Sequence, residues 1–176
     1  MQRVMILGGP GSGKSTLARM LGERTGLPVH HMDHIHWQDG WVERTAAEKR
    51  PLALAIEAQE RWVFEGGLSA TYENRLARAD TCIWLDLPLG LRLWRVTRRT
   101  LRYLGRARPD LPQGCPERLN LQTVAFYRFI WRSRHSGRAR VERLLAGATE
   151  DKTIHHLRSP EEVRAFLRTV EDRQRS

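Results

Sequence analysis

Hydrophobic positions along this chain follow two alternating rhythms. Short, nearly unbroken apolar runs recur, and between them apolar residues return every three or four positions. Arg3-Val-Met-Ile-Leu7 is the first such run and reads as a buried strand. Pro28 to Met32, Arg61 to Gly67, Thr81 to Pro88 and Lys152 to Leu157 read as four more. The run before Pro88 is apolar and β-prone throughout, as a parallel strand buried on both faces requires. Leu17, Met20 and Leu21 fall at helical spacing, and Gly26-Leu27-Pro28 ends that helix. Thr45-Ala-Ala-Glu48 is a capping box that opens a helix through about Gln59. A short helix is expected over Ser69–Ala79, and another after Pro88, which suits a first helical turn. Asn120 to Ala146 reads as one long helix, with Ser136-Gly137 as the place where it kinks or splits. Ser159-Pro160-Glu161-Glu162 caps the last helix. Strands alternating with helices predict an α/β fold: five parallel strands with helices on both faces.

Composition narrows the class. With 176 residues and 40% hydrophobic content, one domain spanning residues 1–176 can bury a real core. No apolar run approaches the roughly 18 residues a transmembrane helix needs. No charged-then-apolar leader precedes the first strand. Cys82 and Cys115 lie far apart and form neither a metal motif nor a disulfide framework. A cytoplasmic protein without a membrane partner is expected. The net charge is +10, and only Lys14, Lys49 and Lys152 are lysines, so 27 of the 30 basic residues are arginine. The planar guanidinium suits phosphate clamps, and it also suits a nucleic-acid backbone or a solvated face.

Chemistry concentrates first in Gly8 to Thr16, GGPGSGKST, which fits G-x-x-x-x-G-K-[ST]. Gly8, Gly9, Gly11 and Gly13, with Pro10 and Ser12 between them, let successive N–H groups point into one anion-sized hollow. Lys14 then reaches the β- and γ-phosphates, Ser15 offers a hydroxyl to Mg²⁺, and Thr16 continues the helix start. The helix opening there adds free N–H groups and a positive dipole end. A strand before the loop and a helix after it are the context the motif requires. ATP or GTP is therefore the expected ligand.

The second concentration is His30-His-Met-Asp-His-Ile-His36, followed by Trp37 and Trp41. Four histidines in seven residues raise a metal site, but no cysteine partner or regular ligand spacing accompanies them. Asp33 lies just past a strand's C-terminal end, where open α/β sheets bind ligands. Its carboxylate either orients or deprotonates an acceptor hydroxyl, or caps a turn. Trp37 and Trp41 either wall a pocket or pack. Pro109, Pro112, Gly114 and Cys115 mark a loop over Gly105–Pro116 that interrupts two helices and can close over a site.

Taken in order, these pieces resemble the adenylate-kinase-like P-loop kinases over nearly the whole chain. The loop matches, Glu65-Gly66 stands where those kinases carry Asp-Gly, and Leu85-Asp86-Leu87-Pro88 is similar to their fourth-strand ending. More narrowly, the chain resembles the bacterial DNA topology modulation proteins. That likeness rests on Met32-Asp33 with Trp37 and Trp41, Trp62-Val-Phe-Glu-Gly66, Ala79-Asp-Thr81 before Ile83–Pro88, and Gly114-Cys115 before the helix of Trp131. The resemblance implies a P-loop NTPase three-layer sandwich with sheet order 2-3-1-4-5 and a small helical lid near residues 100–120. It implies ATP and Mg²⁺, with Ser15 and, through water, Glu65 on the metal. It implies that Arg95 stacks on adenine and Arg99 contacts the transferring phosphates. Arg132 or Arg138 would join them in capping the transition state.

The chain also departs from those kinases. Gly67-Leu-Ser69 stands where nucleoside-monophosphate kinases carry the Phe-Pro-Arg that holds the acceptor phosphate, leaving Arg44 or Arg75 as substitutes. The expected activity is an ATP-dependent phosphotransferase with a small-molecule acceptor. A nucleotide-gated nucleic-acid binder and a plain nucleotide hydrolase are the competing readings, the former not favoured because no nucleic-acid motif appears.

Overall fold

Strand β1 (Arg3–Gly8) is the centre of the molecule. It pairs in parallel with β3 (Trp62–Glu65) on one side and β4 (Thr81–Leu85) on the other. β2 (Val29–His31) extends the sheet beside β3, and β5 (Thr153–Leu157) extends it beside β4. The order is 2-3-1-4-5, all parallel, as the resemblance implied. This computed structural model describes residues 1–106, 108, 111–112 and 114–175, with side chains through 172. The loop residue Pro109 lies outside the described residues.

Helices α1 (Lys14–Thr25), α2 (Met32–His36), α3 (Ala46–Glu57) and α4 (Tyr72–Arg78) follow the first three strands. Then come α5 (Leu89–Arg102), α6 (Leu121–Arg132), α7 (Arg134–Ala146) and α8 (Pro160–Arg175). The period of two along β1 divides the core. Val4 and Ile6 face a cluster with Leu17 and Leu21 of α1 and Phe166, Leu167 and Val170 of α8. Met5 and Leu7 face the opposite cluster, with Met32, Ala53, Leu76 and Val141 of α2, α3, α4 and α7. Burial on both faces explains the unbroken apolar run Val4–Leu7 within β1.

The capping box at Thr45 forms as its sequence predicts: Glu48 N–H donates to Thr45 Oγ1, and Thr45 N–H donates to the Glu48 carboxylate at 2.8 Å. Ser159 likewise accepts from Glu162 N–H at 3.1 Å. Four expectations need correction. The long helix divides at Ser133, three residues before the Ser-Gly pair. Ser133 sits at ψ −1°, and its hydroxyl donates to Phe129 O at 2.6 Å, loosening the turn there. Pro88 is the N-cap of α5 and not in its first turn. Met32 does not end the second strand but opens a short helix that runs to His36. Finally, the stretch from Tyr103 to Asn120 contains no helix among the described residues. Its ends are joined by a bridge between Leu104 and Glu117, with Gly105 N–H donating to Glu117 O at 2.9 Å. Prolines at 109, 112 and 116 cannot propagate helical hydrogen bonds through so short a stretch.

Candidate functional site

β1 stops at Gly8 and α1 starts at Lys14, so the glycine loop lies between a strand end and a helix N-terminus. Gly13 is the N-cap at φ +95°, and no acidic residue occupies the first turn of α1. The helix therefore offers its N–H groups and positive end to an anion without an internal competitor. The Ser12 hydroxyl, inside the loop, is buried and has no hydrogen-bond partner among the described residues. Lys14 Nζ donates to Gly9 O at 3.2 Å, which parks the ammonium over the loop. Burial lowers its proton affinity, the Glu65 and Asp33 carboxylates work the other way, and Arg92 and Arg99 add to the lowering. Lys14, Glu65, Asp33, Arg92 and Arg99 thus share one electrostatic neighbourhood.

Helix α5 supplies the outer wall of the loop. Arg95 donates to Ser12 O at 3.1 Å, and Arg92 Nε donates to Pro10 O at 3.0 Å. A Cβ on Gly11 would lie 2.3 Å from Arg92 O, and Gly11 also holds φ +77°. Only glycine permits this approach of loop to helix. Neither the glycine motif nor the resemblance marks Arg92. Its position one turn before Arg95–Val96 was the available signal, since residues three and four apart share a helix face.

Glu65 ends β3 and is buried. His31, on the neighbouring strand, places Nδ1 2.8 Å from its carboxylate. Burial alone would raise this carboxyl. The His31 hydrogen bond, the Lys14 charge and the Ser15 hydroxyl outweigh it and hold Glu65 below the usual carboxylate range. The adjacent Ser15 hydroxyl and ionised Glu65 are hard oxygen donors of the type Mg²⁺ takes, a few at a time, alongside substrate phosphates and water. The residues fit the ion that the motif implies.

Asp33, in α2 and within electrostatic reach of Lys14, has its side chain 45% exposed. Arg108 lies 3.8 Å from it and is held from behind by Glu117 at 2.9 Å. Arg99 reaches the same Glu117 at 3.8 Å. The stretch after α2 folds as a two-residue antiparallel ladder, Trp37–Gln38 against Val42–Glu43. This hairpin grips the segment before α6: Gly40 N–H donates to Gly114 O at 2.9 Å and Trp41 Nε1 to Pro116 O at 3.0 Å. Trp41 holds φ +64°, a backbone conformation that is costly for a bulky residue. Trp37 and Trp41 pack edge to face at 5.3 Å. Arg108, Glu117 and this grip carried no signal in the sequence, because they depend on the path of an irregular segment.

The two substitute arginines are occupied elsewhere. Arg44 donates to the carbonyls of His34, Ile35 and Trp37 and so closes the end of α2. Arg75 is 0% exposed and ion-paired to buried Glu57 at 3.0 Å. The histidines have different partners: His31 serves Glu65 and has the His34 ring 6.0 Å away, His36 faces Glu43 at 3.3 Å, and His30 packs edge-on to Phe64. Among the described residues no group of three or more His, Cys, Asp or Glu could hold a metal ion. Of the four arginines expected at the lid, Arg95 lies on the loop, and Arg99 acts electrostatically on Lys14 while reaching toward Glu117 at 3.8 Å. Arg138 pairs with Asp86 at 3.3 Å and Glu142 at 3.0 Å, while Arg132 lines a groove between α5 and α6.

No protein-family model matches the chain. It is 29% identical over 154 residues to the shikimate kinase of Rhodococcus jostii (strain RHA1), covering 80% of this chain and 88% of that one. The shikimate kinase structure from Bacteroides thetaiotaomicron superposes with a TM-score of 0.56 at 19% identity, covering 99% of each chain. The deoxyadenosine kinase from M. mycoides, solved with bound dCTP, gives 0.55 at 10% identity, covering 96% of this chain and 98% of that one. The chain therefore has the fold of the P-loop kinases.

Proposed function

We propose that this protein is an ATP-dependent phosphotransferase acting on a small hydroxyl-bearing acceptor, with a hydroxy acid of the shikimate type favoured. The observation that carries the reading is the juxtaposition of a phosphate loop, Lys14 over it, and an exposed carboxylate, Asp33, within the electrostatic reach of that lysine. The name of the 29%-identical relative supplies the acceptor class. The engagement of Arg44 and Arg75 supports it further, because neither is free to hold a nucleoside monophosphate's phosphate.

In this mechanism the loop N–H groups and Lys14 hold the β- and γ-phosphates of ATP. Asp33 orients the acceptor hydroxyl and takes its proton. The acceptor oxygen bonds to the γ-phosphorus as the bond to the β–γ bridging oxygen breaks, and ADP departs. Arg95 and Arg99 neutralise charge on the transferring oxygens. Ser15 and Glu65 would hold Mg²⁺, which draws charge from the same oxygens. Arg108, held by Glu117 at 2.9 Å, lies 3.8 Å from Asp33 and fixes the place of its carboxylate. The testing experiment is Asp33→Asn. Its expected outcome is a drop in acceptor-dependent turnover of about 10² or more with ATP affinity unchanged. Normal turnover in that variant would remove Asp33 from the reaction.

A further inference from the structure

Between Leu87 and Val141 the chain carries thirteen arginines and two acidic residues, Asp110 and Glu117. The rest of the chain holds seventeen basic and eighteen acidic groups, so the entire net charge of +10 originates in this stretch. A general preference for arginine would spread over the whole surface. Arg92, Arg95, Arg99 and Arg108 point inward to the loop and to Glu117, and the site accounts for them. Arg98, Arg102, Arg128 and Arg132 are exposed on α5 and α6, two helices without an acidic residue.

The same two helices expose Trp94, Leu101, Leu121, Val124, Phe129 and Trp131, with Leu121 at 87%. Their outer faces meet at an open groove of about 350 Å³ that Leu93 and Tyr127 line with Arg128, Trp131 and Arg132. Arg98 lies 5.4 Å over the Trp94 ring, and Arg134 lies 4.3 Å over that of Trp131. Large apolar side chains and cations without a carboxylate partner among the described residues thus share one surface, and an exposed apolar patch of this kind marks an interaction site.

We propose that the outer face of α5 and α6 docks on an anionic phospholipid bilayer. A second copy on this face would set arginine against arginine with no carboxylate between them. A polynucleotide would use the guanidiniums and the three aromatic rings but leave Leu101, Leu121 and Val124 in water. A bilayer surface satisfies both sets. The apolar side chains enter the acyl boundary, the tryptophans sit at headgroup level, and the guanidiniums reach lipid phosphates. Among the described residues no helix is long and apolar enough to cross a membrane, which concerns spanning and not surface binding.

The test is co-sedimentation of the full chain with vesicles of phosphatidylcholine alone and of phosphatidylcholine with phosphatidylglycerol. Binding is expected only to the anionic vesicles, with a blue shift of tryptophan emission and loss of binding at high salt. The double variant Arg98→Gln/Arg128→Gln should bind roughly 25-fold more weakly, about fivefold per charge removed. Trp94→Ser/Trp131→Ser should lose the blue shift. Each variant is checked for unchanged circular dichroism and ATP affinity, so that misfolding is recognised. Lys14→Ala should bind vesicles as the parent does, which separates this outcome from the phosphotransfer reading. Equal affinity for neutral vesicles, or no vesicle binding at low salt, overturns the proposal. So does a dimer in light scattering, or oligonucleotide binding without vesicle binding, when either is abolished by the same substitutions.

Discussion

Arg75 shows how a charged residue can be structural in a chain dense with arginine. Its guanidinium donates to Glu57, to Gly66 O at 2.9 Å and to Thr71 Oγ1 at 3.2 Å, and it lies 3.9 Å above the Phe64 ring. Removing one partner of a buried pair leaves the other charge uncompensated, at a cost of about 3–5 kcal/mol. Arg75→Met should lose that much stability in urea denaturation, and adding Glu57→Leu should recover most of it. A loss below ~1 kcal/mol would contradict the buried-pair account. Glu65 is a second case. Its depressed pKa means that its stabilising charge is complete above the unfolded-chain value of about 4.3 and is lost only as pH falls through the lower folded value. His31→Gln removes the main hydrogen bond holding it down, so acid unfolding should begin at a higher pH. An unchanged acid midpoint would show that His31 does not tune this carboxylate. In the sequence, the glycine loop, Lys14 and Ser15 were legible because their spacing is itself the chemistry. Arg75 and Arg108 were not, because a single arginine carries no local sign of what it meets across the fold.

Among the elements, α5 links the two halves of the site. One end grips the phosphate loop through Arg92 and Arg95, and the other leads into the segment that Glu117 ties to Arg99 and Arg108. That segment is in turn docked on the Trp37–Glu43 hairpin beside Asp33. Gly114 makes the docking possible, since a Cβ there would lie 2.8 Å from the Asp39 Cβ. Gly114→Ala should therefore raise the acceptor KM several-fold while ATP affinity stays unchanged. Equal values for both in the variant would show that the docking plays no part in acceptor binding. Strands and caps were readable at this scale because a short unbroken apolar run and a capping box are local signals. The break at Ser133 was misplaced because a serine bonding back one turn disturbs a helix only in its packed context, whereas Ser-Gly looks weak anywhere. The segment over 103–120 looked like a helical lid only by analogy, and its prolines argued otherwise.

For the whole molecule, the sheet order was implied by the resemblance to the adenylate-kinase-like P-loop kinases, while the surface was not. Net charge is a sum over the sequence, and its confinement to α5, α6 and their flanks acquires meaning only with the exposed apolar side chains beside it. The central claim concerns the phosphate loop and Asp33, and ADP release tests it most directly. Mg-ATP would be offered with a panel of hydroxy acids including shikimate, sugars, nucleosides and nucleoside monophosphates, with Lys14→Ala as the blank. The account predicts that a hydroxy acid raises ADP release well above the blank and that nucleoside monophosphates do not. Stimulation by a nucleoside monophosphate alone, or by no acceptor while ATP still binds, would contradict it.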